Sequence, residues 1–107
     1  MLLFRCRVLE DLMYKNISYS ELKKLTSPLL LDVRQIYEFE EFALEGALLI
    51  PLNEIADRID ELASYQEHEI VVYCKAGIRS VTACKILAGF GFNKLYNLAS
   101  GINEFLR

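Results

Sequence analysis

With one histidine and no Cys-x-x-Cys spacing, this chain of 107 residues has little from which to build a zinc site, and no metal is expected. Its three cysteines, Cys6, Cys74 and Cys84, are odd in number and not closely paired, which argues against a disulfide framework. A reducing, cytoplasmic setting fits that usage. No GxxxxGK or GxGxxG motif is present to cradle a nucleotide, so no cofactor is expected. The basic residues are not interleaved with aromatics, which argues against nucleic acid as a partner. Long apolar runs are missing as well. The N-terminal MLLFRCRVLEDLMY is interrupted by Arg5 and Arg7, too early for a signal core or a membrane span. No repeat, low-complexity tract or Pro/Gly-rich linker divides the chain, so one domain over residues 1–107 is expected.

What is present suits a globular fold. Apolar residues make up 53% of the chain and charged residues 25%, and the length is enough for one hydrophobic core. The net charge of −3 is unevenly spread: residues 35–69 hold ten acidic residues and one basic, residues 70–107 one acidic and five basic. The second segment is therefore locally cationic and would draw small anions, while the first reads as the solvated face of helices.

Apolar runs and helical patterns alternate. SPLLLDV, GALLIPL and EIVVYC lack the polar alternation of a half-exposed strand and suit strands covered on both faces; KLYNL is a weaker fourth. Ser18 and Glu21 have capping-box spacing for a short helix carrying Leu22 and Leu25. Asn53 is placed to cap a helix through Ala63, with Ile55, Ile59, Leu62 and Ala63 on one stripe. Ser80 opens another, lined by Val81, Cys84, Leu87 and Ala88 and ended by Gly89 or Gly91. This order predicts an α/β fold with a mostly parallel sheet flanked by helices on both faces.

IVVYCKAGIRSV, residues 70–81, places a thiol where such a sheet binds ligands, at the carboxyl end of a strand. Gly77 permits a tight turn, and the N–H groups of Lys75, Ala76, Gly77, Ile78 and Arg79 are then able to converge on one point. The following helix directs its positive end there. That setting favours a thiolate on Cys74 and any negative charge later attached to its sulfur. Cys84, on an apolar helical stripe, reads as core. Cys6 has no interpretable context.

These residues resemble a known family, the single-domain rhodaneses. LLLDVRQIYEFEEFALEGALLIPLNEI is similar to the family's first signature, and IVVYCKAGIRSVTACKILAGFGFNKLYNLASGINEF to its second; together the likeness covers residues 17–106. It implies a five-stranded parallel sheet and a persulfide mechanism. Cys74 would take the outer sulfur of a small anionic donor such as thiosulfate and pass it to a thiol, cyanide or protein acceptor. Lys75 and Arg79 would bind the donor's anionic group, although Lys75 reads equally well as a solvated surface residue. Asp32 and Arg34, from Asp-Val-Arg, would support the site, as would Ser80. His68 reads as a surface loop residue, so an ionised thiol would have to act without a histidine base.

The segment Phe42-Ala43-Leu44-Glu45-Gly46-Ala47 lacks the family's usual histidine. Ser100 and Phe105 stand where glycine and tryptophan are frequent, and residues 1–16 are an extension of unassigned role. Two rival readings share the fold. A cell-cycle-type phosphatase or arsenate reductase would carry one residue more between cysteine and arginine, for a wider oxyanion cradle. A non-catalytic binding module would tend to lose the cysteine.

Overall fold

In the computed structural model, which describes residues 10–106, the strand drawn from EIVVYC lies at the centre of the fold. The strands are β1 (Lys15–Ile17), β2 (Leu29–Asp32), β3 (Leu48–Leu49), β4 (Ile70–Tyr73) and β5 (Leu95–Leu98). The α-helices are α1 (Tyr19–Leu22), α2 (Ile36–Glu41) and α3 (Arg79–Gly89), joined by 3-10 turns at Leu52–Glu54, Ile59–Tyr65 and Gly101–Phe105. All strand pairings are parallel, in the order β1-β5-β4-β2-β3. The expected α/β architecture is thus the observed one.

Every residue of β4 is buried, as its unbroken apolar run requires. Alternation then divides the core. Ile70 and Val72 face α3 and the turns at 52–54 and 59–65, among Leu31, Ile50, Ile55, Leu62, Ala83, Cys84 and Leu87. Val71 and Tyr73 face the other side, with Ile17, Leu22, Leu98 and Ile102. Both faces of the sheet are covered, and burying each such aliphatic side chain stabilises the fold by about 1.5–3 kcal/mol.

The register positions the site. Asp32 lies beside Tyr73, and the Val33 N–H donates to the Tyr73 carbonyl at 3.1 Å, so the ends of β2 and β4 deliver Arg34 and Cys74 to the same edge. Among the described residues no helix is long and apolar enough to cross a membrane.

The short helix at Ser18 forms with its expected capping box, Glu21 N–H donating to Ser18 Oγ at 3.2 Å and Ser18 N–H to Glu21 Oε1 at 2.9 Å, but it ends at Leu22 and leaves Leu25 beyond it. The helix expected from Asn53 to Ala63 does not. Pro51, extended at φ −54° and ψ 146°, opens the segment, and Asn53 falls inside the first 3-10 turn, where its amide caps nothing. Two 3-10 turns replace the single α-helix, yet Ile55 and Leu62 still reach the core. β1 begins at Lys15, within the stretch assigned from sequence to the extension, and Cys6 lies outside the described residues.

Candidate active site

Cys74 follows β4 directly and is only 1% exposed. Its sulfur accepts N–H bonds from Gly77 at 3.2 Å and from Ser80 at 3.4 Å, and the Ser80 hydroxyl lies 3.3 Å away. The start of the loop is held by its carbonyls: Cys74 O and Lys75 O accept from the N–H groups of Ile102 and Asn103 at 2.9 and 3.0 Å, which turns the N–H groups of the same peptide planes, those of Lys75 and Ala76, the other way. Gly77 adopts φ +87°, and a Cβ there would overlap the Ala99 carbonyl oxygen. Gly101, at φ +62°, leaves room in the same way for the Lys75 carbonyl.

Burial pushes the Cys74 thiol up. The nearby Ser80 hydroxyl and hydrogen bonds from the backbone N–H groups of Ser80, Ala76 and Gly77 outweigh it, and the thiol lies below its ordinary value. The first turn of α3 adds its positive end. Cys84 differs: burial, with a smaller contribution from the charge of Cys74, pushes its thiol up to about 12. Iodoacetamide should therefore modify Cys74 at neutral pH and leave Cys84 untouched in the folded protein. The midpoint of the Cys74 rate against pH should lie below that of free cysteine, and Ser80→Ala should raise it, as peptide mapping of alkylation time courses will test. Equal rates at the two cysteines would contradict this account.

The residues expected from sequence separate into groups. Ala76, Gly77 and Ser80 reach the sulfur. Ile78 is 76% exposed and Lys75 faces solvent at the wall of a neighbouring cleft. Arg79 turns to Glu38 of α2, with Nη1 and Nη2 donating to its two carboxylate oxygens at 2.8 and 3.0 Å. The Arg79 guanidinium holds the Glu38 carboxyl down at about 2. Asp32 and Arg34 are both buried and bonded to each other, Arg34 Nη2 donating to Asp32 Oδ2 at 2.7 Å. Arg34 Nη2 also donates to the Phe42 carbonyl at 2.6 Å, and the Tyr73 hydroxyl accepts from the Leu44 N–H at 3.1 Å. The Asp-Val-Arg segment thus ties the chain ahead of β3 to the end of the sheet.

Two participants escaped sequence reasoning. Asn97, buried on β5, accepts from the Ser80 hydroxyl through Oδ1 at 2.5 Å. Its Nδ2 donates to Asn16 Oδ1 at 2.9 Å and to the Gly77 carbonyl at 3.4 Å. The sign of it was a lone polar residue inside KLYNL. Glu38 showed only its capping spacing to Gln35, whose N–H donates to Glu38 Oε1 at 2.9 Å; nothing linked it to Arg79. A cleft of about 490 Å³ opens beside the loop, lined by Arg34, Tyr37, Glu38, Glu41, Phe42, Lys75 and Leu106. No cluster of His, Cys, Asp and Glu fit for a metal occurs among the described residues.

Comparison with known proteins gives matches over most of the chain. The model of the rhodanese-like domain matches residues 18–107. The candidate sulfur carrier protein YrkF of Bacillus subtilis is 36% identical over 76 residues, which is 71% of this chain and 40% of YrkF. The chain thus spans less than half of that relative's length. The human single-domain sulfurtransferase TSTD1 superposes with a TM-score of 0.75 and 27% identity, covering 85% of this chain and 94% of TSTD1. An NAD-dependent persulfide reductase from A. fulgidus gives 0.71 and 33% identity, covering 91% of this chain and 17% of the reductase. At the level of the family these relatives support sulfur transfer.

Proposed function

This chain belongs to the rhodanese-like domain family, and on that footing we propose that it is a sulfurtransferase whose nucleophile is Cys74. The observation that carries the reading is the sulfur itself, recessed at a strand end and surrounded by donors from Gly77 and Ser80.

The Cys74 thiolate attacks the outer sulfur of a donor, either thiosulfate or another persulfide. A bond forms between the two sulfurs as the donor's own S–S or S–SO₃ bond breaks, and the electron pair leaves with the thiolate or sulfite. Cys74 then carries one extra sulfur. A thiol, cyanide or protein nucleophile attacks that terminal sulfur and restores the thiolate, so the cycle is ping-pong. The loop that holds the thiolate is shaped before the reaction, and its N–H groups also favour the negative charge carried by the transferred sulfur. With His68 bonded through Nε2 to the Ser27 carbonyl at 2.8 Å, no histidine attends the sulfur, and the thiol must be ionised beforehand.

Intact-mass measurement tests this. After incubation with thiosulfate or a persulfide donor, the protein should gain one sulfur, mapped to the Cys74 peptide and removed by cyanide or a thiol. No gain from either donor, with the fold intact, would overturn the proposal and favour a binding module or a phosphatase.

A further inference from the structure

The cleft that meets the Cys74 loop at Lys75 contains little free positive charge. Of its two cations, Arg34 is buried against Asp32. That leaves Lys75, which forms no ion pair among the described residues; neither does Glu41, which also lines the cleft. Arg79, the residue best shaped to grip an oxyanion, is not at the cleft surface. Glu38 is, and both of its oxygens occupy the guanidinium. Glu38 therefore sits where a donor's anionic group would have to bind Arg79.

We infer that this site, taken as the sulfur-transfer site proposed above, discriminates against dianionic donors such as thiosulfate. Its sulfur comes from an organic persulfide of low charge, and Glu38 is the specificity-determining residue. A dianion entering the cleft meets one cation unpaired among the described residues, Lys75, together with the equally unpaired carboxylate of Glu41, and finds Arg79 already bonded to Glu38. To bond the two Nη groups of Arg79 it must displace a carboxylate, which then remains without its partner beside two new negative charges. An organic persulfide makes no such demand. Tyr37, Phe42 and Leu106, exposed by 68, 42 and 52%, offer its carbon skeleton apolar walls of the kind that small-molecule sites use.

The step is balanced. The Cys74 thiolate attacks the outer sulfur of R–S–SH, the S–S bond of the donor breaks, and R–S⁻ departs with the electron pair. The persulfide proton stays on the transferred sulfur or passes to solvent.

The test compares sulfur loading of Cys74 by thiosulfate and by the persulfide of N-acetylcysteinamide, in the wild type and in Glu38→Gln and Glu41→Gln. Glutamine at 38 is still able to accept the capping bond from the Gln35 N–H. The wild type should prefer the persulfide in kcat/KM. Glu38→Gln should shift the ratio about tenfold toward thiosulfate, mainly through KM, because Arg79 is released. Glu41→Gln, on an exposed residue with no ion pair among the described residues, should shift it the same way by less, and serves if the first variant folds poorly. Loading that shows no preference, or a ratio unmoved in the variants that fold, would overturn this inference alone. No sulfur on Cys74 from either donor would overturn the proposed function, and this inference with it.

Discussion

Replacing Cys74 by serine is expected to lower sulfur transfer by roughly 10³-fold or more, to the background of donor and acceptor in solution. A serine hydroxyl at this position is smaller, remains protonated at neutral pH and cannot carry the sulfane sulfur. The N–H groups of Gly77 and Ser80 would then surround a group that neither attacks nor holds charge. The fold should survive, because the change removes little volume from the core around Val72 and Ala83. The measurement is thiocyanate formation with cyanide as acceptor, alongside the intact mass. Cys84→Ala is the control: the thiol is wholly buried on α3, so its loss should cost about 1 kcal/mol of stability and leave transfer mostly in place. Equal loss in the two variants would contradict the separate roles assigned to the cysteines.

Gly77→Ala should have the next largest effect, acting on stability and reactivity together. The φ of +87° strains any residue with a Cβ, and this Cβ would also overlap the Ala99 backbone, which has no side-chain freedom with which to give way. Relief requires the loop to lift, at a cost of about 2–4 kcal/mol by urea unfolding. Lifting withdraws the Gly77 N–H from the sulfur, so alkylation of Cys74 should slow at pH values where the wild-type thiol is already ionised. An unchanged unfolding midpoint together with an unchanged alkylation profile would show that the loop is not held as described.

Much of this was legible in the sequence because two signals reinforced each other. The apolar runs of β2 and β4 are buried enough to lack alternation, and the cysteine, glycine and helix start follow β4 without interruption. β1 was not legible from pattern. It is an edge strand of three residues, of which only Ile17 is buried. The segment after Pro51 presented the right stripe with the wrong backbone, since burial of Ile55 and Leu62 is compatible with either helical pitch when no cap decides between them. At the site, the residues near Cys74 in sequence were found. Those brought in by topology were not, because Asn97 and Glu38 are joined to Ser80 and Arg79 across 17 and 41 positions of chain. Arg79 itself was identified, but its partner was not, and the partner changes what the arginine is able to bind.

The hydrogen bonds from Ile102 and Asn103 to the carbonyls of Cys74 and Lys75 have a consequence for biosynthesis. While the chain is being made, Cys74 emerges long before the residues that shape its loop, and until they dock it is an ordinary thiol, mostly protonated at neutral pH. Its lowered thiol pKa therefore arrives with the last turn of the domain, and an unfinished or unravelled molecule carries a cysteine no more reactive than any other.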